Sequence, residues 1–188
     1  MVRLFVAIPF PSALQDQLAL LSGGIPGARW TPADNFHLTL RFIGEVDRND
    51  YDDVVGALGQ VRAVGFELVL RGLDQFGKGD KARVLWVGVE KNRALLHLQE
   101  RIEAALTRAG LPPQPRKYTP HVTLARLHGA AGGRLGEFVQ ANHLVRLGPL
   151  PVDRFALFSS WSHGDGPHYE IECEYPLGPI ARTGADHP

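Results

Sequence analysis

The chain has 188 residues, a length that suits one domain or two small lobes sharing a core. Hydrophobic residues make up 44% of it, a content that is typical of globular proteins and excludes an intrinsically disordered chain. Its 20 basic and 20 acidic residues cancel, which argues against binding long nucleic-acid duplexes through bulk positive charge but is compatible with a local basic groove.

The first half of the chain is predicted to mix strands with two helices. Apolar and β-branched residues indicate the strands, and apolar residues at helical spacing indicate the helices. The first helix follows Pro11, where Ser12 and Gln15 form a capping-box pattern, and it is predicted to end at Gly23. The second helix covers residues 51–61. The predicted strands are residues 3–10, residues 28–31, a segment that opens at His37, residues 66–70 and residues 82–89.

The second half continues the same mixture. Residues 75–81, before the last of those strands, are predicted to be a mobile basic loop, and Asn92 is the predicted N-cap of a long helix. Residues 110–117 form a rigid, basic connection to a strand that opens at His121. A short helix near Leu135 and strands at residues 152–161 and 169–175 complete the prediction. Because strands and helices are mixed rather than strictly alternating, the pattern predicts an α+β fold with mainly antiparallel sheets.

Two short motifs of the form His-x-Thr-Leu recur almost half a chain apart. The first begins at His37 and the second at His121. Side chains alternate faces along a strand, so His37 and Thr39 share one face, and His121 and Thr123 share another. Eight His and six Thr placed at random would give about 0.03 such matches, so the repeat is far above chance.

Around these motifs the chain resembles a known family. The likeness is carried by Leu4-Phe5-Val6-Ala7-Ile8, His37-Leu38-Thr39-Leu40-Arg41-Phe42-Ile43-Gly44, Arg83-Val84-Leu85-Trp86-Val87-Gly88-Val89, Pro120-His121-Val122-Thr123-Leu124-Ala125-Arg126 and Gly166-Pro167-His168-Tyr169. The sequence resembles the 2H phosphoesterase superfamily, and within it the RNA 2′,3′-cyclic phosphodiesterases, historically called 2′-5′ RNA ligases. The resemblance implies two pseudo-symmetric lobes with mainly antiparallel sheets flanked by helices and an active-site groove between them. Residues 1–180 would form this single two-lobed domain, and residues 181–188 a flexible tail.

Two histidines and two threonines suit the opening of a cyclic phosphodiester. One imidazole takes a proton from water while the other protonates the departing ribose oxygen. The hydroxyls of Thr39 and Thr123 can donate hydrogen bonds to the non-bridging phosphate oxygens. The resemblance gives these residues the same roles. We assign His121 as the base and His37 as the acid.

Further substrate-binding candidates surround the motifs. By strict alternation Arg41 shares the face of His37, whereas Arg126 reaches the His121 face only if the strand bulges near Ala125. Phe76 and Tyr169 are candidates for stacking a nucleobase. Trp86, in an apolar strand, is expected in the core, and His163 and His168 are weaker substrate candidates beside a glycine-rich turn.

Three kinds of site are compatible with these motifs. The first is the metal-free phosphodiesterase. The second is a non-catalytic module that binds RNA ends, which would not need both an acid and a base. The third is a metallohydrolase, although the motifs contain no carboxylate and the chain has no Cys pair. We expect no metal and no cofactor, and the absence of a Gly-x-x-x-x-Gly-Lys-Ser/Thr loop leaves ATP-driven ligation unsupported. Any ligation would be the reverse reaction.

The expected substrate is an RNA 3′ end that carries a 2′,3′-cyclic phosphate, with tRNA fragments as one source, and the expected product is a 2′-phosphate.

Cys173 is the only cysteine, which suits a reducing compartment, and no apolar run reaches the length of a membrane span. We therefore expect a cytoplasmic monomer without a membrane or an obligate protein partner.

Overall fold

The computed structural model describes residues 1–128, 132–163 and 166–180. Within them the chain forms nine strands and four α-helices, all bounded here in chain order. They are β1 Val2–Pro9, α1 Ser12–Ala19, β2 Ala28–Trp30, β3 His37–Val46, α2 Arg48–Gly59, β4 Phe66–Phe76, β5 Val84–Val89, α3 Arg93–Arg108, β6 His121–Leu127, α4 Gly132–Ala141, β7 Arg146–Val152, β8 Arg154–His163 and β9 Gly166–Pro176. None of the helices described is long and apolar enough to cross a membrane.

The strands form two antiparallel sheets, each of which contains one motif strand. The first sheet has the order β3-β1-β8-β9, and the second has the order β2-β6-β5-β4-β7. Neighbouring strands pair antiparallel throughout both sheets. The predicted α+β fold with a motif strand in each lobe is confirmed. The prediction that residues 181–188 form a flexible tail lies outside the described residues.

One hydrophobic core holds the two sheets in place. The alternate positions of the motif strands, Leu38 with Leu40 and Val122 with Leu124, are at most 2% exposed. The long helix α3 packs its apolar stripe into the same core. Its start is fixed as predicted, because the Asn92 side chain accepts a hydrogen bond from the Leu95 amide at 3.0 Å. Each motif strand therefore has a buried face, which leaves the opposite face for the histidines.

Some local predictions were wrong. No capping box forms at α1, whose N-cap is Pro11. The side-chain amide of Gln15 lies instead 3.5 Å from the Phe36 carbonyl oxygen. Strand β7 was not predicted, because a segment with Gly148, Pro149 and Pro151 has the composition of a loop. Prolines are tolerated there because β7 lies at the edge of its sheet.

The predicted loop over residues 75–81 begins later than expected. Strand β4 runs on to Phe76 and pairs it with Val84 of β5. The turn that follows depends on Gly77, which has a φ of 87° and would bring a Cβ within 2.1 Å of the Lys81 carbonyl oxygen. This tight turn fixes the position of Phe76 beside the second motif strand.

Candidate active site between the two sheets

The two motif histidines occupy the exposed faces of β3 and β6, which lie against each other where the two sheets meet. Both side chains are half-buried, and the charge of His121 contributes to lowering the pKa of His37. The two imidazoles therefore lie close enough for their charges to interact. The structure brings together the residues that the paired motifs predicted to share a groove.

Each imidazole is oriented by the carbonyl two residues before it. His37 Nδ1 lies 2.8 Å from the Asn35 oxygen, and His121 Nδ1 lies 2.7 Å from the Thr119 oxygen. A carbonyl only accepts, so Nδ1 carries the proton and donates it in both rings. Nε2 is then the nitrogen that each ring offers to the groove. In the first motif it lies 3.1 Å from the Thr39 hydroxyl.

Burial changes the acidity of both rings. It lowers the pKa of His37 to about 4, against a smaller opposing effect of the hydrogen bond to Asn35. It also lowers the pKa of His121, again against the hydrogen bond to Thr119. Burial disfavours the charged imidazolium because the groove solvates it less well than water does. At pH 7 both histidines are therefore neutral, with a lone pair on Nε2.

The two motif strands bulge at the same position. In β3 the pairing with β1 skips a residue between Thr39 and Arg41, and in β6 the pairing with β5 skips one between Thr123 and Ala125. After each motif threonine, two successive side chains are consequently buried. The fifth residue after each histidine then returns to the groove face. That residue is Phe42 in β3 and Arg126 in β6.

The prediction that Arg41 reaches the groove was wrong, because the bulge reverses the alternation. Arg41 is only 4% exposed. Its Nε forms an ion pair with Glu103 Oε2 at 2.6 Å, and Nη2 donates to the Pro112 carbonyl at 2.6 Å. A further bond from Nη1 reaches the Phe42 carbonyl at 3.0 Å. Arg41 thus fixes the backbone of the bulge and turns Phe42, which is 60% exposed, toward the groove.

Arg126 faces the groove through the bulge on which its prediction depended. Its cross-strand neighbour across β5 is Val84. Burial raises the pKa of the Tyr169 phenol, while the positive charges of Arg126 and Arg3 oppose that shift. The charge of Arg126 therefore acts on a residue of the other sheet. The structure brings these two predicted residues to one groove.

Aromatic rings surround the first histidine. His37 has ring-centroid distances of 4.9 Å to Phe5, 5.3 Å to Tyr169 and 5.9 Å to Phe158. Phe5 also contacts Phe42 at 6.1 Å, across the β1–β3 pair. These rings exclude water from one side of the imidazole, which accounts for the lowered pKa.

A smaller aromatic set surrounds the second histidine. Phe76 lies edge-on to His121 at 4.8 Å, and Trp86 lies 5.8 Å from it. Trp86 was expected in the core, but it pairs with Thr123 on the groove face and is half-buried. Its indole Nε1 is buried without a hydrogen-bond partner among the described residues. Sequence reasoning missed Trp86 because its strand is apolar on both faces.

The backbone carbonyl of each motif threonine accepts a hydrogen bond from a hydroxyl that is distant in the chain. The Thr31 hydroxyl, just before the first motif, donates to the Thr123 carbonyl at 3.0 Å. The Tyr118 hydroxyl, just before the second motif, donates to the Thr39 carbonyl at 3.0 Å. The Tyr118 bond therefore joins the segment before β6 to β3 of the other sheet, whereas the Thr31 bond extends the pairing of β2 with β6 within the second sheet. No sequence signal marks these contacts, which join residues far apart in the chain.

Of the two weaker histidine candidates, His168 lies on the face of β9 opposite to Tyr169, and the side chain of His163 is outside the described part of the chain. His168 pairs with Trp161 and stacks on that indole at 6.2 Å. Among the residues that the structure describes, no group of three or more His, Cys, Asp or Glu side chains is arranged to hold a metal ion.

Comparison with known proteins agrees with this geometry. The family model of LigT-like phosphoesterases matches residues 8–86 and again residues 87–169, so each match contains one motif. The chain belongs to the LigT-like phosphoesterase family. The resemblance drawn from the two motifs is confirmed. Each matched half contains one bulged motif strand, and each half contributes strands to both sheets.

Curated relatives and solved structures extend the likeness over almost the whole chain. An RNA 2′,3′-cyclic phosphodiesterase of Aeropyrum pernix is 35% identical over 172 residues, covering 90% of this chain and 96% of its own. A protein of the same name from Thermotoga maritima is 30% identical, with 95% and 98% covered. The crystal structure of Escherichia coli LigT complexed with 3′-AMP is 27% identical, covers 94% of this chain and 98% of its own, and has a TM-score of 0.76.

Proposed function

We propose that this LigT-like phosphoesterase hydrolyses 2′,3′-cyclic phosphates at RNA 3′ ends and leaves a 2′-phosphate. The observation that carries the proposal is the pair of imidazoles with Nδ1 bound to a carbonyl and Nε2 presented to one groove. The names of the Aeropyrum and Thermotoga relatives support the reaction, and the 3′-AMP complex of LigT supports a nucleotide in the groove. DNA lacks the 2′-hydroxyl that forms this cyclic phosphate, so RNA is the substrate.

The proposed reaction is an in-line displacement at phosphorus. Nε2 of His121 takes a proton from water as its oxygen attacks the phosphorus, and the bond to the 3′ oxygen breaks on the opposite side. Nε2 of His37 gives a proton to that leaving oxygen. No net proton is gained or lost, because His121 afterwards releases its proton to solvent and His37 takes one up from solvent. Each of the two roles contributes about 10²–10⁴ in rate.

The acid must be charged before it can donate, although burial lowers the pKa of His37 to about 4. An anionic phosphate between the rings favours the imidazolium and raises this pKa. We therefore propose that His37 acquires its proton as the substrate binds. This substrate-coupled protonation reconciles the acid role with an imidazole that is neutral in the free protein.

The remaining site residues stabilise charge and hold the nucleotide. The hydroxyls of Thr39 and Thr123 donate to the non-bridging oxygens, the Thr39 hydroxyl turning from His37 Nε2 to the phosphate. Arg126 offsets the growing negative charge. Phe76 and Tyr169 offer aromatic faces for a base, and Phe42 joins them because of its exposure. Arg41 is not a substrate ligand and acts only through the bulge.

The same groove allows the reverse reaction. A 5′-hydroxyl that replaces water would attack the cyclic phosphate and form a 2′-5′ linkage, with no nucleotide cofactor, since the ring itself stores the required energy. We further propose that the protein acts as a cytoplasmic monomer and needs no metal, because His, Thr and Arg side chains supply every role named above.

The test uses a 5′-labelled RNA oligonucleotide with a terminal 2′,3′-cyclic phosphate, incubated with the protein in EDTA. The expected product comigrates with a 2′-phosphate standard. A 3′-phosphate product would overturn the leaving-group assignment alone. Loss of activity that returns on adding zinc or magnesium would instead indicate a metallohydrolase. Binding of the cyclic end without any hydrolysis would indicate an RNA-end binding module.

A further inference from the structure

We propose that the groove contains a second phosphate site, which binds the phosphodiester on the 5′ side of the terminal nucleotide. Arg3 and Arg29 form it beside Arg126, and these three residues are called the arginine rim. The inference rests on the proposed function, since it extends the groove from the cyclic phosphate to the next phosphate of the same RNA strand.

Arg29 and Arg126 form a directly opposed pair of like charges. They are cross-strand partners in the antiparallel pair of β2 and β6. The flanking positions of β6, Ala125 and Leu127, face the core, so both arginines point to the groove side. Like charges directly opposite on neighbouring strands destabilise a sheet. Both side chains are exposed, and neither forms an ion pair with any described residue.

Arg3 approaches the same place from the other sheet. Along β1, Leu4 is buried in the core while Arg3 is exposed on the face that also carries Phe5. Arg3 is paired with Ser160, which is paired with Tyr169, so the three side chains form one row across β1, β8 and β9. The charges of both Arg3 and Arg126 act on the Tyr169 phenol. The rim thus converges on Tyr169 from two sheets.

One carboxylate lies near the rim without neutralising it. Glu45 is the cross-strand partner of Arg3 in β3, yet no ion pair within 4.0 Å joins them. Three positive charges and one negative charge therefore meet in a chain whose net charge is zero. A phosphodiester supplies the missing anion, and guanidinium groups match its oxygens through forked hydrogen bonds.

The position of the rim fits the next phosphate of the strand. Along each motif strand the order is histidine, threonine and then the residue that the bulge returns to the groove. In β6 Arg126 follows Thr123 on the groove face. Arg3 shares its row with Tyr169, whose ring lies 5.3 Å from that of His37, so the rim borders the site between the histidines. A terminal cyclic phosphate held between the histidines leaves only the 5′ side of the strand to continue, and its next backbone group is a phosphodiester.

The test compares three substrates that have the charged linkage, have a neutral one or have none. They are a 2′,3′-cyclic mononucleotide, a dinucleotide ending in the cyclic phosphate, and the same dinucleotide with a neutral methylphosphonate linkage. The wild-type kcat/KM should be about tenfold higher for the natural dinucleotide than for the neutral one, the gain expected from charge-assisted bonds to one phosphate. Arg3→Gln and Arg29→Gln should each reduce this preference, and the double variant, which keeps only Arg126 of the rim, should lose most of it.

A matched control is Arg48→Gln, which removes the same charge from an exposed position on α2. It should keep the preference. All variants should hydrolyse the cyclic mononucleotide at the wild-type rate, which also shows that they are folded. Raising the salt concentration should reduce kcat/KM more for the natural dinucleotide, with a log–log slope steeper by about 0.7 for the extra phosphate.

Equal rates for the charged and the neutral dinucleotide in the wild type would overturn the second site, and so would an unchanged preference in the double variant. Calorimetric binding of the natural dinucleotide with a terminal 2′-phosphate separates this outcome from failure of the hydrolysis. If no variant hydrolyses any cyclic phosphate, the proposed function fails, and weaker binding by Arg3→Gln and Arg29→Gln still supports the rim. Equal binding by all variants overturns it.

Discussion

At the scale of single residues, the two histidines share a motif but differ in their surroundings. His37 is packed against rings on the first sheet, whereas His121 has Phe76 and Trp86 at its side. Both rings are fixed through Nδ1, so only Nε2 can exchange protons with a ligand. The rings of the first sheet therefore lower the pKa of His37 more than the pKa of His121 is lowered, and His37 is neutral in the free protein.

This burial predicts how stability depends on pH. The pKa of His37 is about 4 in the folded protein against 6.5 for an unperturbed imidazole. The unfolded chain therefore binds more protons between these values, and the free energy of unfolding should fall as the pH drops from 6.5 to 4. The contribution is fully present above pH 6.5. Denaturant unfolding of the wild type and of His37→Gln should show a shallower decrease in the variant, and parallel curves would contradict the burial of a neutral His37.

At the scale of elements, the bulges in β3 and β6 determine which side chains reach the groove. Strict alternation would place Arg41 there and keep Phe42 and Arg126 in other positions. The bulged backbone of β3 is held by Arg41, which bonds to Glu103, Pro112 and Phe42. The two motif strands thus share one bulged conformation. The second of the two buried residues after the motif threonine is charged in β3, where it is Arg41, and apolar in β6, where it is Ala125.

Arg41→Ala should destabilise the fold by about 3 kcal/mol, since it leaves the carboxylate of Glu103 without its partner in a mostly buried place. Urea unfolding measures this loss. A double variant, Arg41→Met with Glu103→Leu, removes both charges and should recover most of the stability. A substrate ligand would behave differently: Arg41→Ala would then lose activity without a change in unfolding free energy.

The hydrogen bond from Tyr118 to the Thr39 carbonyl should set the spacing of the two motifs. Tyr118→Phe removes only the hydroxyl that bonds to the Thr39 carbonyl. We expect kcat to fall about tenfold with KM nearly unchanged, because the phosphate still binds but the histidines lose their in-line positions. Steady-state kinetics on a cyclic-phosphate oligonucleotide checks this. Tyr51→Phe, which removes an exposed hydroxyl bonded to Glu172, is the matched control. An unchanged kcat in Tyr118→Phe would mean that the spacing is held by other contacts.

At the scale of the whole molecule, the sequence predicted the parts that depend on local pattern. The His-x-Thr repeats, the strands that carry them and the Asn92 cap follow from spacing and composition. The groove position of Phe42 could not be predicted, because a bulge leaves no signature in an apolar strand. Strand β7 was hidden by its prolines, which only an edge position allows. The bonds from Thr31 and Tyr118 join distant segments and depend on the tertiary arrangement alone.

The measurement that tests the account most directly is the turnover of a cyclic-phosphate RNA oligonucleotide by the wild type, His37→Ala, His121→Ala and the double variant, in EDTA. If the two imidazoles serve one transition state, each single change should lower kcat by about 10²–10⁴. The double variant should then lose little more than the worse single variant. Unchanged circular dichroism would exclude unfolding as the cause. Near-wild-type turnover in either single variant would contradict catalysis by paired histidines.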